Sequence, residues 1–316
     1  HLPKDCAVWI EKSAPDAKGE IWYAVNTGMQ REGKYRAYEG WMKAEDVEAG
    51  AAVWQDVAEG GAYDKGMIAR KKDGKVIAAG RPLLNPEGSA WVSPRTWAAA
   101  FSNIRQACIL WNGQYALLDE EGNCFPSEGH ENPFGGAKVR LMEGKSDGMF
   151  GLSMENELVS LAGWPVEPQP FPPETLEKVV NMQGNDEEIL LLTEEGELLI
   201  YPYSENFLGT PPPDWAEWTE LADVDTAWIF SGDYPTWMPC VAYAGVRQDG
   251  TVLAFPEKLS DAVSQWQGMK EVEIGNHWLV GLKADGTALS TAAENKNGYS
   301  EVLSWSHLVD IAAGEN

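Results

Sequence analysis

Tyr63 and Asp64, Trp111 and Asn112, Asp147, Asn185 and Asp186, Asp233, Tyr234 and Trp237, and His277 and Trp278 recur along the chain in separate short segments. Their types suit recognition better than bond-making. Tyr and Trp bury large areas at low entropy cost and keep a polar handle. Carboxylates beside them answer a cationic or hydroxylated surface. Signatures of catalysis are missing: no G-x-S-x-G elbow, H-E-x-x-H, P-loop or strand-following G-x-G-x-x-G occurs. Carboxylates are abundant, but sequence cannot rank any pair at glycosidase spacing. His1, His130, His277 and His307 are too far apart for a zinc motif, and the acidic turns lack the alternating acids of a calcium loop. The expectation is a binding surface, not an enzyme, with no cofactor and no metal.

Each of these segments sits between two repeated elements. The element after it is an apolar run, a tight turn and a second apolar run. Gly281–Ser290 and Gly245–Phe255 are the clearest copies. Ala69–Gly80, Leu117–Phe125 and Leu190–Tyr201 keep the layout, and Met154–Leu161 keeps it without the Gly. Ala7–Ile10 and Gly19–Val25 form a seventh copy split by a longer turn. Acidic-Gly between apolar runs signals a β-hairpin, here expected with a type I′ turn. The runs suit strands buried on both faces. The turns recur on average every 44 residues or so, near the period of propeller blades.

The element before it is a short strand-like piece ending in Gly or small residues. Copies are Gln55–Gly60, Ile104–Cys108, Val139–Gly144, Val179–Gly184, Val224–Trp228, Val272–Gly275 and Leu308–Gly314. Gly and small residues fit a strand at a crowded central axis. Val309-Asp310-Ile311-Ala312-Ala313-Gly314 and Gly281-Leu282-Lys283-Ala284-Asp285-Gly286-Thr287 resemble the repeats of the regulator-of-chromosome-condensation family. The likeness is strongest over 240–316, fair over 54–80 and 176–201, and weakest over 104–161. It implies an all-β, seven-bladed β-propeller as one domain over 1–316.

The ends carry a separate clue. Val309–Gly314 has no hairpin after it, and the first residues have a hairpin with no such strand before it. Joining residues 304–316 to residues 1–25 completes a blade, so blade closure between N- and C-terminal strands is expected. The Pro-rich stretches Trp164–Pro173 and Gly209–Pro213 read as connectors between blades, a domain boundary being the alternative. Trp22, Trp41, Trp54, Trp97, Trp215, Trp218, Trp266 and Trp305 lie in or beside the repeat strands and are assigned to blade interfaces.

Charge narrows the partner. The net charge is −25, which repels phosphate backbones and anionic lipid, so nucleic acid is not expected. No apolar stretch is long enough to insert in a membrane. The acidity serves solubility outside a cell or attraction to a basic-surfaced protein. An extracellular or cell-surface location follows, with any signal segment trimmed from a chain whose first residue is His. Cys108 and Cys124 fall in one repeat and are either bridged or buried as thiols; Cys6 and Cys240 have no evident partner. The resemblance adds a specific case: secreted bacterial propellers that inhibit β-lactamases bind through this loop set. By position it points to Tyr63, Trp111, Asp186, Tyr234, Trp237, His277 and Trp278. The expected function is protein binding through Tyr63, Asp64, Trp111, Asp147, Asp186, Asp233, Tyr234, Trp237, His277 and Trp278. A carbohydrate-binding surface is the alternative, and the nucleotide-exchange role of eukaryotic family members is a third.

Overall fold

The computed structural model describes residues 9–16, 18, 20–31, 34–43, 56–63, 66–80, 83–84, 91–92, 97–109, 115–127, 132–145, 148–160, 170–185, 187–202, 213–231, 238–275, 278–291 and 305–313. Strands dominate. Three-stranded antiparallel sheets follow one another along the chain, each built of consecutive strands. They are β1 (Trp9–Pro15), β2 (Ile21–Arg31), β3 (Lys34–Lys43); then β4 (Val57–Tyr63), β5 (Gly66–Lys71), β6 (Val76–Gly80). A two-stranded ribbon of β7 (Leu83–Leu84) and β8 (Trp91–Val92) precedes β9 (Ile104–Ile109), β10 (Tyr115–Asp119), β11 (Cys124–Pro126). Next come β12 (Val139–Lys145), β13 (Gly148–Ser153), β14 (Leu158–Ser160), and β15 (Val179–Gly184), β16 (Glu188–Thr193), β17 (Leu198–Pro202). The last are β18 (Leu221–Ser231), β19 (Met238–Arg247), β20 (Val252–Phe255), and β21 (Met269–Ile274), β22 (Leu279–Lys283), β23 (Ala288–Ser290). Two short helices, α1 (Pro173–Leu176) and α2 (Glu257–Val263), and a 3-10 turn, η1 (Trp215–Glu217), sit in the connections.

In five of the sheets an acidic-Gly turn joins the second and third strands, but these turns are not type I′. Lys71 N–H bonds Lys75 C=O at 2.7 Å and Gly74 N–H bonds Lys71 C=O at 2.9 Å. Only the glycine of such a turn has positive φ: Gly74 +75°, Gly122 +84°, Gly196 +81°, Gly250 +81° and Gly286 +80°. This is the longer hairpin loop in which one left-handed residue makes a bulge. Where the Gly is missing, Asn156 takes the position at +61°, as short polar side chains can. The acid caps the turn instead: Asp249 Oδ1 accepts from Thr251 N at 2.9 Å, and Asp285 Oδ1 from Thr287 N at 2.9 Å.

Hydrophobic cores lie between successive sheets. Leu190, Leu192, Trp218, Leu221, Val241 and Tyr243 fill one such layer, between β15–β17 and β18–β20. Ala242, Ala244, Leu259, Val263, Trp266, Val272 and Leu279 fill the next. The middle strand β16 is buried along its whole length, which explains its unbroken apolar run. A bulky residue before a first strand packs on the small residue of the second. A Cβ on Gly281 would lie 2.6 Å from the Trp266 ring, one on Gly151 2.9 Å from Phe134, and one on Gly245 3.2 Å from Trp218. Trp97, Trp218 and Trp266 are therefore interface residues as expected, whereas Trp305 is 51% exposed.

A second set of bonds staples each turn to the following sheet. The turn-glycine carbonyl accepts from the first residue of the next first strand: Gly74 from Ile104 N (3.0 Å), Gly122 from Val139 N (2.9 Å), Gly196 from Leu221 N (3.0 Å), Gly250 from Met269 N (3.1 Å). Gly286 accepts in the same way from Leu308 N at 2.9 Å. A left-handed residue precedes several of these starts: Asp56, Asn103, Glu220, Gly268, and likewise His307. Leu308–Ala313 thus holds the place of another first strand. Ile311, Ala313 and Leu308 pack against Val280 and Ala288 of the last sheet. Among the described residues no strand ladder joins this segment to β1–β3, so the expected pairing of 304–316 with 1–25 is not present as a ladder. Sheets in sequence order with their first strands around one cavity form the arrangement of a β-propeller.

Candidate functional site

The first strands and Leu308–Ala313 line a central cavity of about 510 Å³. Gly60, Gly61, Gly144 and Gly184 stand on its wall, as the small residues at the strand ends led one to expect. What sequence reasoning missed is the polar residue two places after each strand start. Glu59, Gln106, Asn181, Asp223, Glu271 and Asp310 all face this cavity. The Asp of Val309-Asp310-Ile311 was the visible signal, because its counterparts recur at the same offset.

These side chains tie one first strand to the next. Gln106 Oε1 accepts from Met142 N at 3.0 Å, and its Nε2 donates to Met142 O at 2.6 Å. Asp223 Oδ2 accepts from Val272 N at 2.9 Å, and Asn181 Nδ2 donates to Asp223 Oδ1 at 3.3 Å. Glu271 Oε1 accepts from Ile311 N at 3.3 Å. Asp310 Oδ2 accepts from Gly60 N at 2.5 Å, linking the chain's last described segment to β4. Glu59 accepts from the Ala107 backbone. Leu141 interrupts the belt, and there Arg140 bonds the Val179 carbonyl (Nη1, 2.8 Å) and those of Leu176 and Glu177 (Nη2).

Burial pushes these carboxyls toward their neutral forms. Asp223 is pushed up to about 7, mainly by burial, with Asp225 adding repulsion. Burial also raises Glu59, against the opposing pull of Arg70 at 3.2 Å. Burial raises both Glu271 and Asp310, and a hydrogen bond joins the two carboxyl groups. Beside the cavity, Asn185 Oδ1 accepts from Glu187 N and Glu188 N, its Nδ2 reaches Thr226 Oγ1, and Tyr243 donates its hydroxyl hydrogen to Glu188. Among the described residues no cluster of three or more His, Cys, Asp or Glu has metal-binding geometry.

The residues expected to recognise a partner fall, in sequence, between first and second strands. Asp64, Trp111, Asp147, Asp186, Asp233, Tyr234, Trp237 and His277 lie outside the described residues. Tyr63 ends β4. Trp278 is half-buried and packs on Gly275, whose Cβ would meet its ring at 2.5 Å. Cys108 and Cys124 are free buried thiols, so the bridge between them does not form. Burial raises both, Cys124 to about 12. No described helix is long and apolar enough to cross a membrane.

No family model and no curated protein matches the chain. Solved structures resemble it at low identity. Human WBSCR16 is 11% identical with a TM-score of 0.49, covering 88% of this chain and 87% of that one. Prp20p from Saccharomyces cerevisiae, described with its binding properties to Gsp1p and histones, is 18% identical with a TM-score of 0.41, covering 88% and 68%. The computationally designed Ika8 protein is 9% identical with a TM-score of 0.40, covering 74% and 70%.

Proposed function

We propose that this chain is a seven-bladed propeller that binds a protein partner, without catalysis, through the loops joining first to second strands. One observation carries this reading: the two ends of the sheets are built differently. At one end, short turns are locked to the next sheet by the glycine staples. At the other, the connections hold Tyr63, Asp64, Trp111, Asp147, Asp186, Asp233, Tyr234, Trp237, His277 and Trp278. Equivalent sheets around one cavity send these connections to one rim. Aromatic anchors among carboxylates suit a basic protein surface, and the net charge of −25 favours such a partner's approach. An extracellular or cell-surface setting accords with that acidity.

The seventh blade places Leu308–Ala313 in the first-strand position and β1 and β2 in the second and third, with no ladder between the two chain ends among the described residues. The β1–β2 turn supports this. Asp16 Oδ1 accepts from Lys18 N and Glu20 N, as Asp119 Oδ1 does from Glu121 N and Asn123 N in the turn between β10 and β11. Trp305 stands three residues before Leu308, as Trp218 does before Leu221 and Trp266 before Met269. Ala14 offers a small residue at the place of Gly245 and Gly281.

The test is capture of a partner from host lysate or secretome, then affinity measurement with Tyr63→Ala, Trp237→Ala and Trp278→Ala. Loss of at least tenfold in Kd for two variants with unchanged circular dichroism supports the rim. Unchanged affinity in all three overturns it. Selective binding on a glycan array, with no protein captured, would move the assignment to carbohydrate.

A further inference from the structure

Leu308–Ala313 is held unlike the other first strands. Those each have a ladder to a second strand of their own sheet. Among the described residues this segment has none. Its bonds to other elements are the Gly286 staple, Lys270 Nζ on the Val309 carbonyl at 2.7 Å, Glu271 Oε1 on Ile311 N–H, and Asp310 Oδ2 on Gly60 N–H. Its inner side therefore depends on two carboxyl groups that also bond each other.

We propose that the Glu271–Asp310 carboxyl pair is an acid-closed latch: with one shared proton it ties Leu308–Ala313 into the ring, and with none it releases that segment. The chemistry is proton transfer to water from the Glu271 hydroxyl. Before it, Glu271 donates to Asp310, and each keeps a lone pair for a backbone N–H of a neighbouring element. After it, two carboxylates oppose each other in a place little exposed to water, and their repulsion is strong. The surrounding groups deepen the effect. Asp223 faces the pair from β18, Glu59 from β4, and Glu273 from β21 and Glu143 from β12 line the same cavity. Positive charge is sparse. Lys270 engages the Val309 carbonyl and Arg70 engages Glu59. Burial holds Glu271 and Asp310 above the ordinary carboxylate range, so the release falls on the neutral-to-alkaline side rather than in acid.

Hydrogen exchange on the intact chain, corrected for intrinsic rates, tests this at pH 5.5 and 8.5. The Gly60 and Ile311 amides report the latch, and the Leu221 amide, in a staple remote from it, reports global stability. The expected result is a fall in protection at Gly60 and Ile311 on going to pH 8.5 that exceeds any fall at Leu221 by tenfold or more. Glu271→Gln keeps a donor that cannot ionise, so its fall in protection at Gly60 and Ile311 should stay within threefold of its fall at Leu221. Equal wild-type protection at both pH values overturns the latch. So does a parallel loss at Leu221, which would mean global loosening, or a Glu271→Gln variant that responds as wild type does.

Discussion

Replacing Gly196 by Ala tests the staple logic most directly. Gly196 sits at φ +81°, a conformation that costs an L-residue about 1–2 kcal/mol. Its new Cβ would lie 2.7 Å from Leu221 O and 2.8 Å from Leu221 N. Neither is the tip of a flexible side chain, so the two sheets must separate. That breaks the 3.0 Å bond from Leu221 N to Gly196 O, and an unsatisfied buried amide costs about 1–3 kcal/mol. The sum is about 2–5 kcal/mol, with a midpoint of about 3.5 kcal/mol. Gly268→Ala is the control, because Gly268 has φ +69° but nothing within 4 Å of the added carbon. It should cost about 1 kcal/mol, from backbone strain alone. Unfolding entropy near 2.1 cal/mol/K per residue gives about 0.66 kcal/mol/K for this chain. Melting followed by circular dichroism should then show a drop of about 5 °C for Gly196→Ala and about 2 °C for Gly268→Ala. Equal drops would refute the staple as the source of the difference.

The belt predicts a pH effect. Asp223 holds its proton up to about 7 when folded, against 3.8 as the ordinary value, so the folded state binds more protons between these limits. Stability should therefore fall as pH rises through that window, by at most about 1.4 kcal/mol per unit from this group. Asp223→Asn should flatten the urea midpoints measured between pH 4.5 and 7.5, and an unaltered slope would count against it. Tyr243→Phe removes the hydroxyl that donates to the buried Glu188, and should cost about 1–3 kcal/mol in urea denaturation; a cost below about 0.5 kcal/mol would show water replacing the hydroxyl. Cys108, Cys124 and Cys240 are buried thiols, and peptide mapping after maleimide treatment at pH 7.5 should find them labelled only in denaturant. Fast labelling in the native state would show that these layers open.

The repeat was legible because the same physical demand recurs in each unit. Every sheet needs one left-handed turn residue, met by Gly74, Gly122, Gly196, Gly250 and Gly286, and every first strand needs small residues at the cavity wall. The turn type was misread because acidic-Gly pairs serve both the two-residue loop and the longer bulged one; only the φ of the acid separates them. The axial belt was not legible, although Asp223 and Asp310 were in plain view, because an acid in a strand reads first as an exposed face. Its burial depends on six separated segments meeting around one cavity. Trp305 was assigned to an interface by its neighbours in sequence, but it is 51% exposed. The short α1 and α2 lay below the length at which helical periodicity can be read.

The unequal ends of the sheets also bear on how such a molecule changes over generations. Substitutions at the stapled turns reach two sheets at once. The connections beyond Tyr63, Ile109, Lys145, Gly184, Ser231 and Gly275 join strands already paired within one sheet. Changes of length at that end therefore leave the within-sheet ladders in place.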